Sequence, residues 1–304
     1  MRCNERRLYP LVDDKLRTKG LALEAGMAVP ELYGVVGHQH EVKELVGIIE
    51  GREDFVIKPA HGSGGNGVVV IRGRRGELFR LASGRLVSWE ALEHHVENTL
   101  SGLYSLGSHR DRAMIEYCVQ FDPIFEPISY QGVPDLRVIV YQGFPVMAMA
   151  RLPTHQSDGK ANLHQGAVGV GIDLLTGTTV GGVQGNSPIS RHPDTGEPVA
   201  GVQIPAWQIV LELSARCFEV TGLGYMGVDI VLDRDLGPLI LELNARPGLN
   251  IQIANGCGLG ARLEEIDRDC DGQLGPAERA MIAGERFTLV GGQQADPVHG
   301  ESPA

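Results

Sequence analysis

A glycine-rich loop follows a lysine in the stretch DFVIKPAHGSGGNGVVVI, residues 54–71. Lys58 lies in an apolar run before the loop and a β-branched run follows the loop, so the pattern predicts strand, loop and strand. A fixed positive charge beside glycines, whose backbone N–H groups can turn inward, is suited to holding a polyanion. The glycines are Gly62, Gly64, Gly65 and Gly67. A Walker A loop and a Rossmann fingerprint both open a helix, so neither fits, whereas a plain hairpin with a flexible tip explains the same residues.

Three oxygen-bearing side chains towards the end of the chain form a second group. Asp229 lies in a predicted strand, and Glu242 and Asn244 lie in the next one, after a turn at 233–238. Residues two apart on a strand project from one face, and Asp229 can lie opposite them across the hairpin. Two carboxylates among Val, Ile and Leu need a compensating cation. A divalent ion such as Mg²⁺, with Arg246 as a further positive group close by, is one candidate, and ion pairs with arginines are the alternative.

Helix and strand patterns must position these side chains. A first helix is predicted in VDDKLRTKGLALEAG, with Asp13 or Asp14 at its N-terminus and Gly26 as its stop. Apolar residues at i, i+3, i+4 and i+7 predict a second helix in HEVKELVGIIEG, and PAWQIVLELSARCFEVTG is the longest helix candidate. Three β-like runs, AMIEYCVQF, DLRVIVYQG and PVMAMARL, have glycine or proline at their turns. The predicted class is α+β, dominated by antiparallel sheet.

Composition limits the partners of the protein. The 304 residues carry a net charge of −11, which argues against nucleic acid as the main partner because phosphate binding needs a basic face. The apolar share of 42% is that of a globular protein, and no run reaches the roughly 18 to 20 apolar residues of a membrane span. The five cysteines are scattered without zinc spacing, and the N-terminus lacks the apolar core of a signal peptide. We therefore expect a cytoplasmic protein with no membrane partner.

Six motifs in a fixed order resemble the ATP-grasp superfamily. They are FVIKPAHGSGGNGV, MIEYCV, DLRVIV, NLHQGA, GVDIV and LELNARPGL. The chain is similar to the branch of ribosomal-protein glutamate ligases and tubulin–tyrosine ligase-like proteins, and more closely to alpha-L-glutamate ligase-like, sugar-transfer-associated proteins. The match runs from about residue 13 to residue 260. The resemblance implies an ATP-grasp fold, in which two subdomains with antiparallel sheets clamp a nucleotide.

The resemblance also implies roles for matching residues. Lys58 would contact the nucleotide phosphates, under a lid that comprises His61, Gly62, Ser63, Gly64, Gly65, Asn66 and Gly67. The hinge beside adenine and ribose would be Glu116, Tyr117 and Cys118. Arg137 and Arg151 would face phosphate or the carboxylate being activated, and Asn162 would position phosphate or substrate. Two Mg²⁺ ions would be held by Asp229, Glu242 and Asn244.

Domain boundaries follow from the same match. We expect an N-terminal helical segment over 1–50, a lid subdomain over 51–112 and a C-terminal subdomain with the metal site over 113–260. Helices with an EF-hand-like loop follow over 261–290, and a disordered tail over 291–304. The resembling enzymes usually begin with a separate α/β domain, and we expect that domain to be reduced or absent here. We therefore expect part of the acceptor site to be lost, rebuilt or supplied by another subunit, which leaves a homo-oligomer open.

Ligation is the leading functional hypothesis. The resemblance implies that ATP and Mg²⁺ convert a small-molecule or peptide carboxylate into an acyl phosphate, which an amine then displaces to give an amide. Glutamate or another amino acid would be the added group. A phosphotransferase on the same fold and a non-catalytic nucleotide-binding module are the alternatives. His61 and His164 could assist proton transfer, although a lone histidine is more often a hydrogen-bonding or surface residue.

A calcium-loop pattern follows the resembling region. DRDCDGQLGPAE, residues 267–278, has acidic residues at loop positions 1, 3, 5 and 12 and glycine at position 6. The Ca²⁺ ligands would be Asp267, Asp269, Asp271 and Glu278. Against this site, EF-hands usually come in pairs, the sequence has no second loop, and Pro276 is awkward before the exiting helix. A polar connection between two helices explains the same residues.

Overall fold

The structure is a computed structural model that describes residues 3–62, 64–269 and 273–289. Three earlier predictions lie wholly or partly outside these ranges: the tail over 291–304, Ser63 in the lid and Asp271 in the calcium loop. Within the described ranges, no helix is long and apolar enough to cross a membrane. The described cysteines are free thiols, namely Cys3, Cys118, Cys217 and Cys257.

A six-stranded antiparallel sheet has the strand order β1-β6-β2-β3-β4-β5. Its strands are β1 (Leu32–Val36), β2 (Phe55–Pro59), β3 (Val69–Arg75), β4 (Leu78–Leu81), β5 (Leu86–Val87) and β6 (Ala113–Glu116). Phe55 and Ile57 on β2 enter the core beneath this sheet. Because side chains alternate along a strand, Val56 and Lys58 project from the opposite face.

A seven-stranded antiparallel sheet has the order β11-β10-β9-β8-β7-β12-β13. Its strands are β7 (Asp135–Tyr141), β8 (Phe144–Leu152), β9 (Val168–Ile172), β10 (Thr179–Gln184), β11 (Ser187–Ile189), β12 (Tyr225–Asp233) and β13 (Gly237–Asn244). All residues of β7 and β12 are buried, so these strands are covered on both faces. The two antiparallel sheets and their helices confirm the predicted α+β class.

Helices cover the sheets and connect them. They are α1 (Pro10–Asp13), α2 (Lys15–Glu24), α3 (Leu45–Ile48), α4 (Trp89–Leu100), α5 (Trp207–Thr221), α6 (Ile251–Ala254), α7 (Leu259–Asp269) and α8 (Pro276–Arg286). As predicted, Asp14 caps α2, and its carboxylate accepts from Leu16 N at 3.0 Å. Gly222 ends α5 with a φ of 66°.

The helix predicted in HEVKELVGIIEG is wrong in its type and length. The segment folds as a 3-10 helix over Gln39–Glu44, followed by the single turn of α3. Val46, which the periodic pattern placed on the buried face, is 60% exposed. Gly47 lies within α3, and its backbone entropy disfavours extension of this α-helix beyond a single turn.

The first fifty residues pack against the seven-stranded sheet and add a strand to the six-stranded sheet. Val12 on α1 and Ala22 on α2 belong to the apolar core of the seven-stranded sheet. The strand β1 instead pairs with β6 at one edge of the six-stranded sheet. The N-terminal segment therefore packs into the two sheets, and it brings the start of α2 to the space between them.

The segment 117–122 begins the connection from β6 to β7, and Asp233 fixes it to the turn between β12 and β13. One carboxylate oxygen of Asp233 accepts from the Tyr117 hydroxyl at 3.0 Å and from Gln120 N at 2.9 Å. The other oxygen accepts from the backbone N–H groups of Asp235 and Leu236 at 2.9 and 3.0 Å. A single buried carboxylate thus holds both the hinge and the turn.

Replacement of Asp233 should therefore destabilise the fold. We expect Asp233→Ala to lower the free energy of unfolding by about 2 to 3 kcal/mol, because buried backbone donors lose their acceptor. Chemical denaturation followed by circular dichroism measures this change. Asp235→Ala is the matched control, since Asp235 is exposed and its carboxylate pairs with the exposed side chain of Arg234. Equal stability of the two variants would contradict the role given to Asp233.

Candidate active site

Two cavities meet in the space between the sheets. The apolar cavity, of about 230 Å³, has walls from both sheets that include Val56, Val70, Val119, Val133, Val231 and Leu241. The charged cavity, of about 350 Å³, is lined by Asp135, Arg137, Arg151, Lys160, His164, Asp229 and Arg246 among others. The residues shared by both linings are Gly64, Gly65, Leu241 and Glu242. The two cavities therefore form one cleft with an apolar end and a charged end.

The predicted hinge residues all line the apolar cavity. The Glu116 carboxylate is buried and forms an ion pair with the ammonium group of Lys58. Tyr117 N donates to the Glu31 carbonyl at 2.8 Å, which joins the hinge to the N-terminal segment. Burial raises the pKa of the Cys118 thiol to about 11, so this cysteine is an unreactive wall residue.

The glycine lid covers the junction of the cavities. Gly64, Gly65 and Gly67 have φ values of 63°, 76° and 74°, which favour glycine. The Gly64 carbonyl lies 3.3 Å from the Gln165 side-chain nitrogen, so the lid contacts a loop of the other sheet. At Gly67 a Cβ would lie 2.4 Å from the ring of Tyr104, so any other residue would displace the lid.

His61 was placed in the lid over the nucleotide, and its imidazole is paired with carboxylates beside the lid. Its Nδ1 lies 2.8 Å from the Asp111 carboxylate, and its Nε2 lies 3.7 Å from Asp14. His61 lines neither cavity. A buried carboxylate at the base of the lid, which no local sequence pattern marks, determines this orientation.

Lys15 is a site residue that the sequence analysis missed. It is the first residue of α2 and lines the apolar cavity, where its ammonium group donates to the Gly62 carbonyl. The same ammonium group lies 3.6 Å from the Glu242 carboxylate. A lysine in the first turn of a helix is disfavoured by the helix dipole, and this was the signal available in the sequence.

Four charged residues form an arginine–aspartate cluster in the charged cavity. It comprises Asp135, Arg137, Arg151 and Asp229. Strand register positions it, since Arg137 on β7 lies opposite Asp229 on β12, and Asp135 lies opposite Arg151 on β8. Nη2 of Arg137 and Nη2 of Arg151 lie 2.7 and 2.8 Å from Oδ2 of Asp229. Arg151 also forms a bidentate pair with Asp135, at 2.5 and 2.6 Å.

Electrostatics differ between the two aspartates of this cluster. Burial raises the pKa of Asp135 to about 6, although Arg151 opposes that shift. Burial acts on Asp229 in the same direction, but two arginines outweigh it and hold the pKa of Asp229 below its usual range. Asp229 thus makes the arginine contacts that were the alternative to metal binding. A metal ion at this site would therefore compete with Arg137 and Arg151 for the Asp229 oxygens.

The residues predicted to bind Mg²⁺ do lie together. Asp229 and Glu242 are opposite each other in the β12–β13 ladder, and the side-chain amide of Asn244 lies 3.3 Å from Oδ2 of Asp229. The Glu242 side chain is 31% exposed and lines both cavities. Two carboxylates and one amide oxygen are hard donors that fit Mg²⁺. Within the described ranges no cluster of three His, Cys, Asp or Glu side chains is arranged for a metal, so the amide would be the third ligand here.

The loop between β8 and β9 is closed by a hydrogen bond at its base and presents polar residues to the charged cavity. The Thr154 hydroxyl donates to the Gly166 carbonyl at 3.0 Å, which closes the loop at its base. Lys160, Asn162 and His164 of this loop all line the charged cavity. The Asn162 side-chain oxygen accepts from His164 N at 3.0 Å, and a Cβ built on Gly65 would lie 3.6 Å from Cδ of Lys160. The predicted residue Asn162 is therefore brought to the cleft.

The described part of the calcium-loop pattern has other partners. Asp267 accepts from the Tyr141 hydroxyl at 2.6 Å, and Asp269 lies 3.0 Å from Arg268. Glu278 accepts from Gly275 N at 2.9 Å and so caps its own helix. Pro276, which seemed awkward, is at a position of the first turn where proline is well tolerated. These contacts favour the polar connection between two helices and give no support to a Ca²⁺ site.

Comparisons with known proteins identify relatives of this chain. A family model described as sugar-transfer associated ATP-grasp matches residues 1–268. A probable alpha-L-glutamate ligase of Parasynechococcus marenigrum (strain WH8102) is 26% identical over 257 residues, which cover 84% of this chain and 41% of that protein. The chain thus spans about two fifths of the length of this curated relative.

Two solved structures are also similar. D-cycloserine synthetase shares 16% sequence identity, with coverage of 92% of this chain and 71% of the other, at a TM-score of 0.46. The ATP-grasp ligase PsnB, in complex with a phosphomimetic variant of its minimal precursor, Mg and ADP, shares 15% identity. That match covers 93% of this chain and 62% of the other, at a TM-score of 0.44.

The lid rests on His95, and this contact predicts a dependence of stability on pH. Nε2 of His95 lies 2.9 Å from the Gly67 carbonyl, to which it donates, and Nδ1 lies 3.3 Å from the Tyr104 hydroxyl. Burial lowers the pKa of His95, so the unfolded chain, whose histidines titrate near ~6.5, binds the proton more readily. The contribution of His95 to the free energy of unfolding is therefore complete above pH ~6.5. It is lost as the pH falls from there through the lower pKa that His95 has in the folded protein.

We expect His95→Gln to reduce this loss of stability on acidification, because the amide can make both contacts without titrating. Thermal unfolding between pH 5 and pH 8 measures the effect, as the difference in midpoint across the range. His94→Gln is the matched control, since the His94 side chain is 74% exposed. If both variants kept the pH dependence of the wild type, His95 would not be its source.

Proposed function

We propose, since this chain belongs to the sugar-transfer associated ATP-grasp family, that it is an ATP- and Mg²⁺-dependent carboxylate–amine ligase. One observation carries the proposal. Glu242 lies at the boundary of an apolar cavity and a charged cavity, opposite Asp229 and beneath a glycine lid. Such an arrangement suits a nucleotide whose base is in one cavity and whose terminal phosphate reaches the other.

The nucleotide would lie along the cleft. The valine-lined cavity suits the adenine ring, because an apolar slot of this size favours a flat aromatic group. Lys58 and Lys15 line the same cavity and would contact the phosphates, with the backbone N–H groups of the lid above them. The terminal phosphate would then lie near Glu242, between the lysines and the arginine–aspartate cluster.

Asp229, Glu242 and Asn244 would hold Mg²⁺. When bound, the ion would neutralise charge on the phosphates and orient the terminal one. The arginines of the cluster compete for the same Asp229 oxygens, so binding of the ion would leave Arg137 and Arg151 more available to an anionic substrate.

The reaction needs no protein nucleophile. A carboxylate oxygen of the substrate attacks the γ-phosphorus, the bond from that phosphorus to the β–γ bridging oxygen breaks, and ADP leaves. An amine then attacks the acyl carbon, inorganic phosphate departs and the amine gives up a proton to solvent. Arg137, Arg151 and Lys160 line the cavity where the charge of the transferred group develops, and positive charge there lowers the barrier.

The free cations of the charged cavity favour an acidic amino acid as substrate. Arg137 and Arg151 are already paired with aspartates. Lys160 and Arg246 line the same cavity, and within the described residues neither forms an ion pair with a carboxylate, although the Arg246 guanidinium lies over the Tyr9 ring. Two cations without a carboxylate partner suit a second anionic group besides the carboxylate that reacts. Glutamate meets this requirement.

A hydroxylamine trap tests the ligase function through Glu242. Wild-type protein with ATP, Mg²⁺ and pooled amino acids should form a hydroxamate and an equal amount of ADP. We expect Glu242→Gln to lower this rate by about a hundredfold or more, because a metal ligand is lost beside the transferred phosphate. The partial exposure of Glu242 makes this variant compatible with folding.

Glu264→Gln is the matched control, since Glu264 is exposed on α7 and lines neither cavity. It should retain the wild-type rate. ADP release without hydroxamate would instead indicate a phosphotransferase or hydrolysis of ATP. Normal turnover of Glu242→Gln would refute the metal assignment.

Lys160 provides a separate test of the substrate class. We expect Lys160→Met to raise the KM for the acid by roughly tenfold while the KM for ATP changes little, because the lost contact is with the second anionic group. Steady-state assays that vary one substrate at a time give both constants. Lys43→Met, at an exposed position outside the cleft, should change neither constant. A larger effect on ATP than on the acid would place Lys160 at the nucleotide.

A further inference from the structure

Lys19 is a buried lysine that lines neither cavity of the cleft. It lies on α2, and its ammonium group is 3.0 Å from Oε2 of Glu116 and also donates to the Pro30 carbonyl. Burial among apolar groups disfavours the charge of Lys19 and lowers its pKa, although Glu116 opposes that shift. A long apolar side chain could fill the same space without that cost. A charged residue at this buried position therefore needs an explanation, and the contact with Glu116 provides one.

Glu116 is shared between two lysines. Lys58 contacts its Oε1 from inside the cleft, and Lys19 contacts its Oε2 from behind. Burial alone would raise the pKa of Glu116, but the two lysines outweigh burial and keep the pKa below its usual range. The carboxylate is therefore ionised, and the group of two ammonium ions and one carboxylate carries a net charge of +1.

That net charge determines what Lys58 can offer to a nucleotide. Without Lys19, Lys58 and Glu116 would form a neutral ion pair in a wall that excludes water. A phosphate approaching Lys58 would then meet the Glu116 carboxylate at nearly the same distance, and attraction and repulsion would largely cancel. With Lys19 in place, the negative charge of Glu116 is balanced from behind.

We propose that Lys19 is a positioning residue of the nucleotide site, which neutralises Glu116 so that Lys58 presents a net positive charge to the phosphates. This inference rests on the proposed binding of ATP in the cleft. Lys19 never touches the nucleotide in this arrangement. It acts through Glu116, which orients Lys58 by the ion pair that they share.

Isothermal titration of the full chain with ATP and Mg²⁺ tests this role. We expect Lys19→Met to weaken ATP binding by roughly tenfold, the scale of one charge-assisted contact. Lys19→Arg, which keeps the charge, should bind within about threefold of the wild type. The decisive variant is Lys19→Met combined with Glu116→Gln. It removes one positive and one negative charge, leaves Lys58 unopposed and should recover most of the lost affinity.

A purely structural role would give a different result, because the double variant removes two buried partners and would bind no better than Lys19→Met. That outcome, or wild-type affinity in Lys19→Met, would overturn the inference. If Lys19→Met is too unstable to assay, Glu116→Gln alone and the double variant should bind ATP within about threefold of each other, because Lys19 has no charge to neutralise once Glu116 is replaced. A further loss of roughly tenfold in the double variant would overturn the inference. Wild-type protein that binds no ATP would instead refute the proposed function itself.

Discussion

The site depends on the register of three adjacent strands. Arg137 on β7, Asp229 on β12 and Glu242 on β13 lie opposite one another in the antiparallel ladder. A shift of one residue would turn the Asp229 carboxylate to the opposite, apolar face, where its burial would be prohibitive without a cation. Arg137 meets Asp229 only in the native register. The ion pair therefore stabilises this strand register, and the register in turn brings the two charges together.

The second constraint is the position of one sheet over the other. Side chains alternate between the two faces of β2. Phe55 and Ile57 are buried in the core of the six-stranded sheet, so Lys58 projects from the other face, towards the cleft. The hinge then fixes the distance to the seven-stranded sheet, since Asp233 accepts hydrogen bonds from both sides of the connection. In this arrangement an apolar cavity walled by both sheets meets, at Glu242, a charged cavity lined by the seven-stranded sheet, its loops and the glycine lid.

Local patterns predicted the parts of the site that a single strand or hairpin encodes. The two-residue spacing placed Glu242 and Asn244 on one face, and the observed pairing of Asp229 with Glu242 confirms the hairpin register. Lys15 and Lys19 were missed, because a helical pattern does not show which distant carboxylate a lysine will meet. His61 was assigned to the nucleotide by its neighbours in sequence, whereas the distant Asp111 determines where its side chain points.

The distribution of charge explains why the cleft can act as a clamp. In the arginine–aspartate cluster, two positive and two negative groups compensate each other within one sheet. The cations proposed to meet the nucleotide phosphates are lysines from two separate elements: Lys15 on α2 and Lys58 on β2. The helix α2 packs on the seven-stranded sheet, whereas β2 belongs to the six-stranded sheet. A bound nucleotide would therefore gain from both lysines only when the two sheets face each other across the cleft, which couples its affinity to closure of the cleft.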